Sequence, residues 1–381
     1  MKPKRRKKDS TTTKYFDYTL LFIIIFLLGF GLIILYSVSS YESQSNFGNS
    51  FYYLKRQLMF IVMGFVGMTI VSYIPYNFWK KTSWLWYIIA FLLCTAVIFL
   101  GDEAGGQARW IEIAGIRFQP SELAKVGVIM FMATLLTKTH KQLTTMKNTI
   151  KVFLFVIPII LVIFYNNLST ALIVAGIAFF MVFVASPKSK HLIVLFLAAV
   201  AGVLIFTLFQ DNYRAGRIDA WLHPEDFPDT AYQTTQSLYA IGSGGLFGRG
   251  LGSSMQKLGY VPEAQNDMIF SIICEELGLF GGICVIVLFV LMIWRFMVIA
   301  NNAADLYGSF LVIGIMIHIS LQVVLNIAVV TNTIPNTGVT LPFISYGGTA
   351  VFILLIEMGL ALSVSRGIKL EDTSVTEQQN G

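Results

Sequence analysis

The uncharged stretch TLLFIIIFLLGFGLIILYSV, residues 19–38, constrains this chain more than any other feature. About twenty consecutive apolar residues, wound as a helix, match the hydrocarbon thickness of a bilayer. In lipid a continuous run of this kind satisfies its backbone polar groups only as a helix. It is too long for the apolar core of a cleaved signal and lacks a small-residue cleavage pattern, so it reads as a permanent span. Further runs at 57–76, 83–100, 121–137, 151–165, 168–186, 191–210, 268–294, 307–330 and 344–364 pass the same test. The expected fold is therefore an all-α polytopic membrane protein of about ten transmembrane helices. Composition agrees, with 56% hydrophobic residues, only 13% charged and a mean hydropathy of +0.71. A soluble domain carries about a quarter charged residues.

Basic residues set the orientation. Residues 1–15 form a basic tail opening KPKRRKK, which belongs beside the anionic inner leaflet. Lys80 and Lys81, then Lys138, Lys141, Lys147 and Lys151, then Lys188 and Lys190, then Arg295, and finally Arg366 and Lys369 fall in alternate loops on that same side. An even number of spans puts both termini in the cytoplasm, with 16–366 as the membrane domain and 367–381 as a second tail. The net charge of +6 is thus a matter of topology, and no nucleic-acid partner is expected. Cys94, Cys274 and Cys284 lie in or beside spans and suggest no disulfide. The four histidines show no metal-ligand spacing with one another or with cysteine, and His318 reads as a packed, hydrogen-bonded residue.

The outer face carries the chemistry. One extracytoplasmic loop, about 211–267, joins the seventh and eighth spans, and its aromatic content and apolar stretch LYAIGSGGLFGRGLG imply that it folds back onto the membrane surface. Glu122 and Lys125 stand three apart at the start of the fourth span and share a face. They serve either as an anchoring ion pair or as part of an outer cavity. Ser121 after Pro120 is the expected N-cap of that helix. Glu275, Glu276 and Glu357 are further intramembrane acids, costly unless paired. Asp267 stands where PEAQND meets an apolar helix; capping is the simplest role for an Asp there. Convergence favours a further one. Arg109, Arg117, Arg214, Arg217, Arg249 and Lys257 share its face and suit a phosphate-bearing ligand, and Glu263, four residues earlier, is placed to perturb it. The glycines between 242 and 252 lack a nucleotide-loop ending; they read as flexible re-entrant backbone or as an anion nest.

Three stretches resemble the SEDS family of shape, elongation, division and sporulation proteins (FtsW, RodA, SpoVE): ARWIEIAGIRFQPSELAK at 108–125, GSGGLFGRGLGSSMQKLGYVPEAQNDMIFSIICEELG at 242–278 and NTGVTLPFISYGGTA at 336–350. The opening YSVSSYES followed by FYYLKRQ is closer to the FtsW and SpoVE branch. The resemblance implies a peptidoglycan glycosyltransferase that polymerises lipid II on the outer face of the cytoplasmic membrane, working with a class B penicillin-binding protein and other cell-wall synthesis or divisome proteins. It implies that Asp267 is the catalytic acid, and it places the family's paired Glu and Lys on Glu122 and Lys125 and its basic loop positions on Arg214 and Arg217. Two departures stand out: Asn167 replaces a family acid, and Gln265-Asn266 replaces a His-Thr pair.

The expected reaction is inverting transfer, with Asp267 as general base on an acceptor sugar hydroxyl and undecaprenyl diphosphate leaving. Arg109, Arg214, Arg217, Lys125 and Lys257 are the candidate substrate cations, with Glu122 and Glu263 beside them. A divalent cation could assist, although no ligand cluster identifies one. The alternative from another class is a lipid II flippase or transporter, which would need similar spans and cations. No internal repeat supports it.

Overall fold

The computed structural model describes residues 15–104, 107–113, 115–188, 190–209 and 213–368. Three helices open it: α1 (Tyr18–Phe47), α2 (Tyr52–Tyr73) and α3 (Tyr76–Leu100). A small antiparallel sheet follows, β1 (Asp102–Ala104), β2 (Gln107–Ile113) and β3 (Ile116–Phe118), in the order β1-β2-β3. Then come α4 (Pro120–Thr139), α5 (Met146–Leu154), α6 (Ile157–Asn166), α7 (Leu168–Ala185) and α8 (Lys190–Phe209). The outer segment holds α9 (Tyr213–Leu222) and α10 (Pro228–Gly244), and α11 (Ile269–Asn301), α12 (Leu306–Val330) and α13 (Gly348–Arg366) close the chain.

Among the described residues, eight helices are long and apolar enough to cross a bilayer, and the count is nine if α5 and α6, bent by 53°, are taken as one span. α8 covers the remaining expected span. The bend lies at Phe155 and Val156, just ahead of Pro158 in the first turn of α6, where a proline cannot continue the preceding helix's hydrogen bonding. α13 is the most enclosed spanning helix and packs along α2; α3 is the least enclosed and faces lipid.

Polar contacts sort into two sets, as alternating orientation requires. On the inner side Asp17, fully buried, caps α1 by accepting from the Leu20 amide and is gripped by Arg295, whose Nη2 lies 2.6 Å away. Ser186 there reaches the Leu143 carbonyl at 2.8 Å, and Thr149 lies 2.9 Å from His191. On the outer side Gln57 donates to the Ser345 carbonyl, Thr349 to the Arg117 carbonyl and Trp221 to the Asn332 carbonyl. His318 is hydrogen-bonded to Glu357 at 2.9 Å with both residues buried, the packed role expected of it.

One expectation is corrected, and two connections gain structure that the sequence reading did not assign. The N-cap of α4 is Gln119 with Pro120 at the first turn, so Ser121 already lies inside the helix. The connection between α3 and α4 is the small sheet, whose β2–β3 hairpin turns at Gly115, φ +77°, a left-handed position. The large outer loop contains two helices, α9 and α10.

Candidate active site on the outer face

A broken helix positions the key carboxylate. Inside α11, Gly278 adopts φ 71° and ψ −171°, a region open essentially to glycine alone. The break removes the helical bonds that the amides of Leu279 and Phe280 would make to the carbonyls of Glu275 and Glu276. The glycine-rich segment after α10 supplies all four groups with partners. Arg249 and Gly250 donate their amides to the carbonyls of Glu275 and Glu276 at 3.0 and 2.9 Å, while Leu279 and Phe280 donate to the carbonyls of Gly245 and Leu246 at 2.9 and 3.1 Å. So close an approach needs bare backbone, because a Cβ on Gly248 would overlap the Glu276 carbonyl. The glycines are therefore a splice into α11, and the amides of Arg249 and Gly250 are committed to it.

Side chains fasten the same joint. Glu275 and Glu276 are both fully buried. Glu275 accepts a very short hydrogen bond from Ser254 and a second from the Met255 amide, and pairs with Arg249 at 3.4 Å. Glu276 accepts from Ser37 at 2.8 Å and pairs with Lys257 at 2.7 Å. Lys257, expected on the substrate, is a buried structural partner of Glu276.

Asp267 lies two residues before α11 and is 8% exposed. The N-cap is Met268, which makes no side-chain cap bond, so the simplest reading of Asp267 as the cap does not hold. Its carbonyl accepts from Asn326 Nδ2 at 2.7 Å, and Asn326 also donates to the Val339 carbonyl at 2.7 Å, tying α11 to the segment after α12. Its carboxylate Oδ1 accepts from Gln233 Nε2 at 3.4 Å. Gly338, φ +67°, brings backbone so near that a Cβ there would stand 3.9 Å from Asp267 Oδ2. The Tyr346 amide donates to the Gln265 carbonyl at 2.8 Å. Burial pushes the Tyr346 phenol above its ordinary pKa, with Arg56 opposing.

Beside this carboxylate a cavity of about 270 Å³ opens between α9, α10 and the segment after α12. Trp221, Thr230, Gln233, Thr234, Asn332 and Asn336 line it, and none of its described lining residues is ionised. An indole, hydroxyls and amides suit a neutral, hydroxyl-rich ligand. Nearby, Gln265 Oε1, Asn326 Oδ1 and Thr337 Oγ1 are buried with no hydrogen-bond partner among the described residues, which leaves polar capacity around Asp267.

The other expected residues fall as follows. Glu122 and Lys125 form an ion pair of 2.8 Å at the outer end of α4, with Lys125 1% exposed. Arg109, on β2, lines a water-sized cavity of about 20 Å³ with Ser121, Asn166 and Asn167. Asn167 caps α7 by accepting from the Thr170 amide at 3.1 Å. A cap needs only an oxygen acceptor, so this departure from the family acid leaves the helix start intact. Arg214 and Arg217 belong to α9, but their side chains lie outside the described residues. Glu263 is exposed and accepts from Asn266 within its own turn at 3.0 Å. His223, Glu225 and Asp226 gather their ligating atoms within 4.8 Å in one exposed turn, a His-with-acid grouping that cysteine and histidine spacing did not reveal. Exposed acids gather this way without an ion, and no step is assigned to them. Sequence reasoning also passed over Gln233, Asn326 and Asn336, neutral amides of which only Asn336 falls in one of the three family stretches.

A family model described as "Cell cycle protein", FTSW_RODA_SPOVE, matches residues 18–370. Stage V sporulation protein E of Bacillus subtilis is 39% identical over 355 residues, covering 92% of this chain and 97% of that protein. The probable peptidoglycan glycosyltransferase FtsW of Geobacter sp. strain M18 is 36% identical, covering 92% and 96%. Among solved structures, the rod shape determining protein RodA of Thermus thermophilus superposes with a TM-score of 0.70 at 24% identity, covering 93% and 98%. A chain from a peptidoglycan synthase complex that coordinates polymerization and crosslinking superposes at 0.78 with 23% identity, covering 92% and 98%. At these identities the two structures establish the shared fold.

Proposed function

The chain belongs to the FtsW/RodA/SpoVE family, and from that membership and the buried outer-face carboxylate we propose that it is a peptidoglycan glycosyltransferase that polymerises lipid II. The observation that carries the mechanism is Asp267, held at the outer end of α11 beside a cavity lined by neutral polar groups. Outside the cytoplasmic membrane no nucleotide sugars are at hand, so a sugar transferase there needs a donor already activated as a lipid diphosphate. Asp267 takes the proton of the acceptor 4-hydroxyl as that oxygen forms its bond to the anomeric carbon of the donor. The bond from that carbon to the diphosphate breaks with inversion, and the electron pair leaves on undecaprenyl diphosphate. Positioned base catalysis contributes about 10²–10⁴ in rate. Cations of the outer face, Arg109, Arg214, Arg217 and the paired Lys125, are the candidates to balance the departing diphosphate. The partner is a class B penicillin-binding protein that crosslinks the nascent strand.

A flippase would find support in the bent crossing of α5 and α6, since transporters bind substrate at broken helices. That bend, however, carries only Phe155 and Val156 and no ionisable side chain, and at the α11 break Glu275 and Glu276 are taken up by Arg249 and Lys257, whereas the polar constellation lies at the outer ends of α10, α11 and α12. Purified Asp267→Asn protein, monodisperse and folded, should lose polymerisation of labelled lipid II by at least a hundredfold. Wild-type rates from that variant would refute the assignment.

A further inference from the structure

We infer that Gln233, held by Asn336, is a positioning residue that delivers an amide N–H to the carboxylate of Asp267. This rests on the assignment of Asp267 as the base. Side-chain amides are ambiguous in general, because their oxygen and nitrogen can exchange places. Here both ends of a four-member chain are fixed by groups that cannot reverse. At one end the Gly338 backbone amide, which can only donate, lies 3.0 Å from Asn336 Oδ1. Asn336 must therefore present Nδ2 on its other branch, and that nitrogen donates to Gln233 Oε1 at 2.8 Å. Gln233 in turn must present Nε2, which donates to the Pro262 carbonyl at 3.1 Å and to Asp267 Oδ1 at 3.4 Å. A carbonyl can only accept, so the far end agrees with the near end. Every polar atom of the Gln233 amide is engaged and its orientation is locked.

The chain joins three pieces of the fold that meet nowhere in the sequence. Gln233 comes from the first turns of α10, Asn336 and Gly338 from the segment after α12, and Asp267 from the approach to α11. Gln233 and Asn336 also line the 270 Å³ cavity. The same amide thus faces the space a ligand would fill and the carboxylate that would take its proton. A donor on Oδ1 restrains the carboxylate's rotamer, while the Gly338 backbone approaches its other oxygen, Oδ2. The 3.4 Å separation is long, as catalytic hydrogen bonds often are before substrate binds.

The test uses the full-length chain in nanodiscs, with initial rates of labelled lipid II polymerisation measured across pH for four variants. Gln233→Ala should lower kcat by roughly 10- to 100-fold with little change in KM, the scale expected when a reacting group loses its support. Asn336→Ala, which frees the Gln233 amide to turn, should lower kcat in the same sense but less. Gln233→Glu keeps an acceptor for Asn336 but removes the donor and sets a second carboxylate beside Asp267; the acidic limb of its kcat profile should move up by about one pH unit. Gln233→Glu active at the wild-type rate with an unmoved profile would overturn the inference. So would a Gln233→Ala defect confined to thermal stability or KM. Asp267→Asn, run in parallel, tests the base itself: activity in that variant sinks the mechanism whatever Gln233 does, whereas an inactive Asp267→Asn with an indifferent Gln233 sinks only the positioning role.

Discussion

Two glycines of the same motif should respond to alanine in opposite directions. At Gly278 a Cβ meets the φ 71°, ψ −171° backbone and would overlap the Gly248 amide and the Leu246 carbonyl. Strain in that region costs about 1–3 kcal/mol. If the splice opens, four backbone bonds between 245–250 and 275–280 go with it, each contributing about 0.5–1.5 kcal/mol. The expected loss is therefore about 3–9 kcal/mol against a typical total of about 5–15 kcal/mol. At Gly242, by contrast, the helix continues and a Cβ meets nothing within 4 Å, so alanine should be neutral or stabilising by up to about 1 kcal/mol. A thiol-reactive dye suits the measurement in a background where the exposed Cys284 is replaced by serine, because Cys274 is buried in the spliced half of α11 and Cys94 is buried in α3. Gly278→Ala should lower the midpoint of dye labelling on heating by about 4–11 °C, or fail to accumulate at all. Gly242→Ala should melt with the wild type or slightly above it. Equal midpoints for Gly278→Ala and wild type would refute the splice as a stabilising joint, as would an equal fall in both variants.

Two further outcomes follow from the outer face. Lys125→Ala leaves the Glu122 carboxylate without its 2.8 Å partner and should destabilise by roughly 3–5 kcal/mol, while the charge swap Glu122→Lys with Lys125→Glu should recover the melting midpoint without recovering polymerisation; full activity in the swap would reduce the pair to an anchor. Phe247, 82% exposed, neighbours the splice beside the exposed Leu279 and Phe280, so a polarity-sensitive dye on Phe247→Cys, in a Cys284→Ser background, should emit as if in lipid and be quenched by headgroup-level spin labels in liposomes. An aqueous spectrum would refute membrane contact by this loop.

The spans were legible because the bilayer imposes one length on every crossing, and α1, α4, α7 and α12 start within a residue of the expected positions. The break between α5 and α6 had a signal in Pro158, but the apolar run on both sides hid it. The β-hairpin had one too, in the alternation of IEIAGIRF around Gly115. Asp267 stood out because a carboxylate at a helix entrance is conspicuous. Its amide neighbours did not, since a Gln or Asn has no charge to explain and its partners lie far off in sequence: Gln233 and Asn336 are 103 positions apart. Lys257 was misplaced for the complementary reason. Its charge was visible, but Glu276 and Ser37, which claim it, could be assigned only in three dimensions.

The length of α11 carries one more consequence. The half of α11 between Leu279 and Asn301 rises about 35 Å, whereas about 20 residues suffice for the hydrocarbon, so counting outward from Asn301 reaches the acyl-chain border near Gly282. Gly278 thus falls at the upper rim of the lipid, and the residues beyond it carry Asp267 as a fixed gauge above that rim. A lipid-linked donor is held at its own height by its tail, with the diphosphate at the headgroups and the sugars above. With Asp267 as the proposed base, its vertical alignment with the sugar would be set jointly by the helix and the membrane, and bilayer thickness would become a parameter of the reaction.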